Sequence, residues 1–246
     1  MTIRDRLFSA AFWVFFAVSC TTNLTIQTLL WVVATPFDHS RKLNHLFSCF
    51  WGYSYVKCIP GWDAKVLNRE RIESKQPYVL VANHTSLADI ALCHGLFCQF
   101  KWVSKQSNFS LPFVGQNMRL CRYIPLKRGD RVSVEAMLEA CRTWLGKGMS
   151  IMMFPEGTRS TDGKLKPFKP GAFTLSRQMK VPIIPIAIGG GYELVAKHQG
   201  NLTRKAQLRA YVLEPMLPDT FSSDSEFAQA VRERIGEHLR KMGHTA

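Results

Sequence analysis

A histidine and an aspartate form the first group in this chain that could do chemistry. His84 and Asp89 lie in residues 83–89 (NHTSLAD), directly after the apolar run 78–82 (YVLVA). On one continuous helix, a spacing of five residues would turn the two side chains about 140° apart. They converge only if His84 lies in a turn and Asp89 on the first turn of a following helix. The carboxylate would then hold one ring nitrogen, and the other nitrogen could take a proton from a hydroxyl.

The same spacing allows a purely structural interpretation. Ser86 and Asp89 match a helix capping box, in which an acidic side chain supports the first turn of any helix. His84 could simply satisfy polar groups at the end of a strand. From spacing alone, both interpretations stay open.

A second group follows another apolar run, residues 150–154 (SIMMF). Residues 154–160 (FPEGTRS) contain a proline that ends a strand and a glycine that lets the backbone turn. Arg159 on such a loop could bind a phosphate with two donors. Further basic residues that could line a phosphate site, or simply form a solvated surface, are Lys105, Arg119, Arg122, Lys127, Arg128, Arg131, Lys164, Lys166 and Lys169.

Composition limits the classes of protein that remain. With 46% hydrophobic and 20% charged residues among 246, the chain is too apolar to be disordered. A net charge of +14 predicts anionic partners. Neither GxxxxGK[ST] nor GxGxxG occurs, and the aromatic residues do not alternate with the basic ones, so we expect no nucleic-acid partner. Seven cysteines without a C-x-x-C indicate a reducing, cytosol-facing domain with no disulfide framework.

The amino-terminal segment is predicted to be a helical membrane anchor. Residues 7–37 carry no charge, and their bulk and length do not fit a cleaved signal peptide. The polar residues at 20–23 favour a hairpin of two short helices that breaks there, ahead of a single span. A buried core hairpin is the third possibility. The Trp- and Tyr-rich residues 40–62 suit either a membrane interface or the seam between the anchor and the body.

The rest of the chain predicts an α/β fold with a mostly parallel central sheet covered by helices. Strands are expected at 78–82, 150–154, 183–188 and 210–213, and helices at 86–96, 133–146, 172–178 and 225–242. The polar segment 65–76 could separate anchor from core. We therefore expect an anchor and interfacial region at 1–62 and a catalytic domain at 63–246.

The two motifs together resemble the glycerophospholipid acyltransferases, specifically the 1-acyl-glycerol-3-phosphate acyltransferase family. Their order and their separation of about 70 residues match that family. Residues 181–185 (VPIIP) resemble its fourth block, and Lys105, with Pro112 and Gly115 behind it, matches a further stretch. Residues 124–128 (IPLKR) resemble its second block, with Arg122 in place of the usual glycine and Lys127 in place of the usual aspartate.

The resemblance implies a direct acyl transfer. His84 would deprotonate the free hydroxyl of a lysophospholipid, Asp89 would orient the imidazole, and the hydroxyl would attack an acyl thioester. Acyl-CoA or an acyl carrier protein would be the donor, with no metal and no bound cofactor. The expected substrate-binding residues are Lys105, Arg128, Glu156, Gly157, Thr158 and Arg159. The product would be phosphatidic acid, made at the cytosol-facing surface of a membrane.

Two alternatives remain open. The departures at Arg122 and Lys127 allow another acceptor, such as a different lysophospholipid or an amino-acid lysolipid. The charge alone would also suit a non-catalytic protein that binds anionic membrane lipids, although such binding needs neither His84 nor Asp89.

Overall fold

A seven-stranded sheet forms the centre of the part of the chain that the computed structural model describes, residues 3–196 and 205–244. The helices in this part are α1 (Ile3–Ala34), α2 (Lys42–Lys57), α3 (Leu87–His94), α4 (Val114–Leu120), α5 (Arg131–Gly146), α6 (Gly171–Met179), α7 (Gly191–Ala196) and α8 (Asp224–Lys241). The strands are β1 (Trp62–Leu67), β2 (Val79–Ala82), β3 (Phe100–Lys105), β4 (Ile124–Leu126), β5 (Ser150–Met153), β6 (Ile183–Gly189) and β7 (Ala206–Val212).

The strand order is β1-β7-β6-β2-β5-β3-β4. Each neighbouring pair is parallel except β6 and β7, which are antiparallel. In the centre, Leu80 of β2 lies between Met152 of β5 and Ile184 of β6. The predicted mostly parallel sheet with helices around it is therefore confirmed.

Side chains of the central strands alternate between two apolar layers, because successive residues of a strand point to opposite faces of the sheet. Leu80 and Ala82 pack into the layer that includes the α2 and α3 residues, whereas Val79 and Val81 pack into the layer that includes α5, α6 and α8 residues. All four residues of β2 are buried. This double burial explains why the strand is a continuous apolar run in the sequence.

The apolar strands and the amphipathic helices that the sequence predicted are present, but three strands and three helices were not predicted: β1, β3, β4, α2, α4 and α7. The polar segment 65–76 is not only a separator, because its first three residues belong to β1. That strand lies at the edge of the sheet and is mostly half-buried, so polar residues are tolerated. The strand β3 was not predicted because it contains Lys101, a charged residue that is fully buried in the structure.

The predicted break at residues 20–23 is wrong, because α1 is one continuous helix. Its polar side chains satisfy themselves within the helix: Thr21 donates to the carbonyl of Ala17, and Asn23 to that of Ser19. Such bonds to the preceding turn remove the cost that was expected to break the helix. The chain instead turns at residues 35–41, and α2 then packs against α1, α3 and β1.

One side of α1 is buried against the body, and the rest of the helix exposes many bulky apolar side chains. Gln27 is fully buried, and its amide nitrogen donates to the side chain of Asn117 (2.9 Å) and to the carbonyl of Asn44 (3.1 Å). The amide of Asn44 in turn donates to the carbonyl of Gln27 (3.0 Å). Among the described residues, Ser9–Ala34 is the one segment long and apolar enough to cross a membrane, and only 11% of its most apolar window is buried.

Gln27→Ala should weaken the attachment of α1 to α2 and α4. Removing the amide leaves buried polar atoms of Asn44 and Asn117 without their partner, which costs about 1–3 kcal/mol of unfolding free energy. Thr25→Val is the matched control, because Thr25 is exposed and bonds only within the helix in the structure. Denaturant unfolding in neutral detergent measures both. Equal stability of the two variants would show that the Gln27 contacts do not hold α1.

Candidate active site

The predicted site residues lie on one side of the sheet, at the carboxyl ends of its parallel strands. Strands β2, β5, β3 and β4 are parallel neighbours, so their carboxyl ends lie on the same side. His84 follows β2, residues 154–160 follow β5, Lys105 ends β3 and Arg128 follows β4. At about 4.8 Å per strand, β4 lies about 14 Å from β2. Lys105, Arg128 and Arg159 are all exposed on this side.

His84 and Asp89 converge as their spacing required. His84 lies in the turn before α3, Asp89 lies on the first turn of α3, and 3.0 Å separates His84 Nδ1 from Asp89 Oδ2. Asp89 is fully buried, whereas His84 retains a small exposed surface. In the described part of the chain, Nε2 of His84 has no hydrogen-bond partner. With Nδ1–H donated to the carboxylate, Nε2 is the acceptor that can take a proton.

Asp89 caps α3 and holds the imidazole of His84 with the same carboxylate oxygen. Its Oδ2 accepts the backbone N–H groups of Thr85 (2.6 Å) and Ser86 (2.8 Å), and Ser86 Oγ accepts from Ala88 N (3.2 Å). The capping box is therefore present. The same oxygen also holds the imidazole, so the two interpretations of Asp89 that spacing left open are compatible.

The loop of residues 154–160 forms hydrogen bonds with both the N–H and the carbonyl of His84. The N–H of His84 donates to Glu156 Oε1 (2.8 Å), and the N–H of Ser160 donates to the carbonyl of His84 (2.8 Å). The other oxygen of Glu156 accepts the N–H of Lys166 (3.2 Å). Burial raises the pKa of the Glu156 carboxyl, and these two backbone N–H groups oppose the rise. The carboxylate therefore faces the protein, and it fixes the position of His84 through the backbone.

The remaining residues of this loop are positioned by two lysines. Gly157 has a φ of +73°, and an added Cβ would lie 2.9 Å from the side chain of Lys169, so glycine suits both the turn and the close approach. Lys166 Nζ donates to Thr158 Oγ1 (3.2 Å) and to the carbonyl of Arg159 (2.7 Å). The Arg159 guanidinium extends from this anchored backbone into an exposed position.

An aromatic ring supports the imidazole itself. Phe154 stacks on His84, with 4.0 Å between the ring centroids and 11° between the ring planes. Phe154 also contacts Trp102, with 5.3 Å between the ring centroids. Together with the Asp89 contact, this stacking restricts both the tilt and the rotation of the ring. The sequence places Phe154 at the end of an apolar run, a position that gave no signal of a role beyond the core.

The other buried histidines are structural. Burial lowers the pKa of His45 to about 3 and that of His94 to about 4, so both are neutral at physiological pH. His45 contacts Tyr123 Oη and the carbonyl of Cys98, both at 2.9 Å. Within residues 3–196 and 205–244, no three His, Cys, Asp or Glu side chains are grouped to hold a metal ion.

Two sets of contacts near the carboxyl end of β6 also position the site, and the sequence did not predict them. The Asn83 side chain exchanges two hydrogen bonds with the backbone of Ile188 (2.8 and 2.9 Å), which ties the His84 loop to β6. Gly191 follows β6 and packs on Asp89: an added Cβ would lie 2.4 Å from Asp89 Oδ1 and 2.8 Å from Thr85 Oγ1. Asp89 Oδ1 is buried and has no hydrogen-bond partner in the described structure. Gly191 thus closes the back of the site.

Comparison with known proteins is consistent with this geometry. The family model described as Acyltransferase matches residues 63–189. The chain belongs to this acyltransferase family. The resemblance seen in the two motifs is therefore confirmed, and the site of an acyltransferase must position an acyl acceptor against an acyl donor.

Curated relatives of this acyltransferase carry a more specific name. A 1-acyl-sn-glycerol-3-phosphate acyltransferase of Chlamydomonas reinhardtii is 32% identical over 234 residues, covering 92% of this chain and 68% of the relative. A chloroplastic enzyme of the same name from Arabidopsis thaliana is 31% identical over 209 residues, covering 82% and 58%. The chain thus spans about three-fifths to two-thirds of the length of these relatives.

A solved structure matches nearly the whole acyltransferase chain. The crystal structure of the 1-acyl-sn-glycerophosphate (LPA) acyltransferase PlsC of Thermotoga maritima superposes with a TM-score of 0.78 at 26% identity. The match covers 98% of this chain and 97% of that one. The fold, including the α1–α2 region, is therefore shared with that enzyme.

Glu156→Gln should lower kcat more than it changes KM. The glutamine amide can accept one of the two backbone N–H groups but presents its own NH2 to the other, so His84 or Lys166 loses its partner. Losing a hydrogen bond to a charged acceptor corresponds to at least about tenfold in rate. The exposed Glu135→Gln is the control. A selective rise in the acceptor KM would show instead that Glu156 contacts the acceptor.

Gly191→Ala should displace Asp89 and reduce turnover by about a hundredfold, because shifts of about 1 Å in a reacting group have effects of that size. Gly146→Ala is the matched control, since its added methyl group meets nothing within 4 Å. Steady-state kinetics measure the effect, and circular dichroism checks that both variants fold. Wild-type turnover in a folded Gly191→Ala protein would show that Gly191 does not constrain the site.

Proposed function

We propose that this acyltransferase transfers a fatty acyl chain from a thioester donor to the free hydroxyl of 1-acyl-glycerol-3-phosphate, giving phosphatidic acid. The observation that carries the proposal is the imidazole of His84, which has Nδ1 bound to Asp89 and Nε2 unoccupied by protein at the carboxyl edge of the sheet. The names of the relatives indicate the acceptor. Donor and acceptor are both part of the proposal.

The chemistry follows from the positions of the side chains. Nε2 takes the proton of the acceptor hydroxyl as its oxygen attacks the thioester carbonyl carbon. The C–S bond then breaks, and the thiolate leaves with a proton returned from the imidazolium. Asp89 stabilises the imidazolium through Nδ1–H. This route uses no acyl-enzyme, no metal and no bound cofactor.

The phosphate of the acceptor is proposed to bind to the basic side chains at the same edge. Arg159 lies on the loop whose next residue, Ser160, donates a hydrogen bond to the carbonyl of His84. Arg128 and Lys105 lie on the neighbouring strands β4 and β3. Thr158 and Gly157 shape the loop, and Glu156 ties the loop to the backbone of His84 through a hydrogen bond. The donor, acyl-CoA or acyl carrier protein, is acidic and would be attracted by the same charge.

We also propose that residues 1–62 form the membrane-facing region and that residues 63–246 form the catalytic body. Bulky apolar side chains of α1 are exposed, including Trp13, Val14 and Val18, and α2 adds Leu43 and Phe50. Such a surface is stable in lipid and costly in water. A membrane-bound protein with its body on the cytosolic side would meet both a lipid acceptor and a soluble donor.

His84→Ala should lower turnover by about 10²–10⁴-fold, the usual contribution of a general base. The full-length protein is assayed with lysophosphatidate and either acyl-CoA or acyl carrier protein thioester, and the lipid product is identified by mass spectrometry. The control is His238→Ala on α8. Unchanged turnover in His84→Ala would overturn the mechanism.

A panel of lyso-acceptors assayed with one donor tests the acceptor separately. Lysophosphatidate should be converted at least as fast as lysolipids with larger head groups. If it is not accepted while another lysolipid is, the acyl transfer stands and the acceptor is wrong. If no lipid is acylated but His84→Ala still binds membranes like the wild type, the protein is a non-catalytic lipid-binding protein.

A further inference from the structure

Three cationic side chains from separate parts of the chain meet at the turn between α1 and α2. Arg41 ends the turn, Lys101 lies near the amino end of β3, and Arg122 precedes β4. Lys101 Nζ donates to the carbonyls of Ser40 (2.6 Å) and Cys121 (2.8 Å). Arg122 donates to the carbonyl of His39 (3.0 Å). We call Arg41, Lys101 and Arg122 the turn cluster.

The turn cluster has more positive charge than its surroundings balance. Burial and the neighbouring Arg122 lower the pKa of Arg41, and burial, with smaller contributions from Arg122 and Arg41, lowers that of Lys101 to about 8. The acidic side chain beside them is Asp38, and its Oδ2 already accepts the backbone N–H of Leu43 (2.8 Å). An added anion would therefore relieve repulsion here.

Arg41 also has an unused hydrogen-bond donor. The residue is only 4% exposed and lies against Trp31, and one of its terminal nitrogens donates to Thr35 Oγ1 (2.7 Å). Its Nε is buried without a partner in the described structure. Buried guanidinium groups normally satisfy such donors, so this nitrogen indicates a missing acceptor.

The backbone at Arg122 supports a specific role for this side chain. Its φ is +53°, a left-handed conformation that favours glycine. An arginine held there is strained, and such strain is retained where the side chain has a use. Its guanidinium extends from an exposed position over the α1–α2 turn.

The surroundings indicate the chemical class of the anion. Immediately before the turn, α1 exposes Val32 and Val33, and Phe37 in the turn is 89% exposed. Cations at the border of such an apolar surface match the boundary between acyl chains and phosphates in a lipid layer. Lys101 lies four residues, or about 13 Å, from the carboxyl end of β3, so the turn cluster is separate from the His84 site.

We propose that the turn cluster binds the phosphate of an anionic phospholipid, with Arg122 as the exposed donor and Arg41 as the buried one. The lipid acts as a bound membrane component and is not acylated there. It would lock the end of α1 onto β3 and β4 while its acyl chains extend along the apolar surface of α1.

Thermal unfolding of the full chain in neutral detergent tests this, because a ligand that binds the folded chain raises the midpoint by an amount that grows with its concentration relative to its Kd. Micelles are doped with phosphatidylglycerol or phosphatidylcholine, and inorganic phosphate is titrated separately. Phosphatidylglycerol should stabilise the wild type, and phosphatidylcholine should not. Arg122→Gln and Arg122→Gly should each weaken the apparent affinity by about tenfold, the effect of one charge-assisted hydrogen bond. The glycine variant also removes the backbone strain, so its folding is favoured.

Two controls locate the effect. Arg234→Gln removes the same charge from the exposed face of α8, and Arg159→Gln removes it from the catalytic edge; both should respond like the wild type. Retained affinity in the Arg122 variants, or lost affinity in Arg159→Gln, would overturn the proposal. If inorganic phosphate raises the unfolding midpoint as much as phosphatidylglycerol does, the ligand is a free anion and the proposal of a lipid ligand is wrong. Turnover without phosphatidylglycerol should be unchanged in Arg122→Gly, which separates this result from the acyl-transfer proposal.

Discussion

The backbone of His84 is the point on which the site depends. Its N–H is bound by the buried carboxylate of Glu156, and its carbonyl is bound by the N–H of Ser160. These bonds require β2 and β5 to be adjacent and parallel, so that the turns after them leave the sheet side by side. A motif separation of about 70 residues thereby becomes a contact of less than 3 Å, and the imidazole is held before any substrate arrives.

The side chain of His84 is then fixed by groups that each have a structural role as well. Asp89 completes the capping box of α3 and holds Nδ1, and Phe154 is part of the core and stacks on the ring. Gly191 leaves room for the carboxylate where any other side chain would collide with it. Because folding and orientation use the same contacts, the ring is already oriented for the proton transfer that we propose.

The helix α1 combines two environments that a sequence pattern does not separate well. One side carries Gln27 into a buried network with Asn44 and Asn117, while the rest exposes bulky apolar side chains. After Arg6, α1 carries no charged residue, and the charged residues of the chain concentrate in the body and at the α1–α2 turn. The apolar surface of α1 and the distribution of charge are both consistent with the membrane arrangement that we propose.

Much of the fold could be predicted because local patterns encode it. Strands buried on both faces, such as β2, β5 and β6, are continuous apolar runs, and α5 and α8 have clear helical periodicity. The edge strand β1 and the strand β3 were not predicted, since half-burial admits polar residues and Lys101 satisfies its charge with two carbonyls. The break expected in α1 was wrong because hydroxyl and amide side chains bond to the preceding turn.

By itself, the sequence determined which residue types could do chemistry: the histidine and aspartate at a spacing that needs a turn, the loop of FPEGTRS, and the apolar segment ahead of them. Tertiary structure decided that Glu156 faces the His84 backbone, that Gly191 lies against Asp89, and that Arg122 reaches the α1–α2 turn. The physical reason is that strand order brings together residues that are far apart along the chain, whereas periodicity and spacing record only what happens within one element.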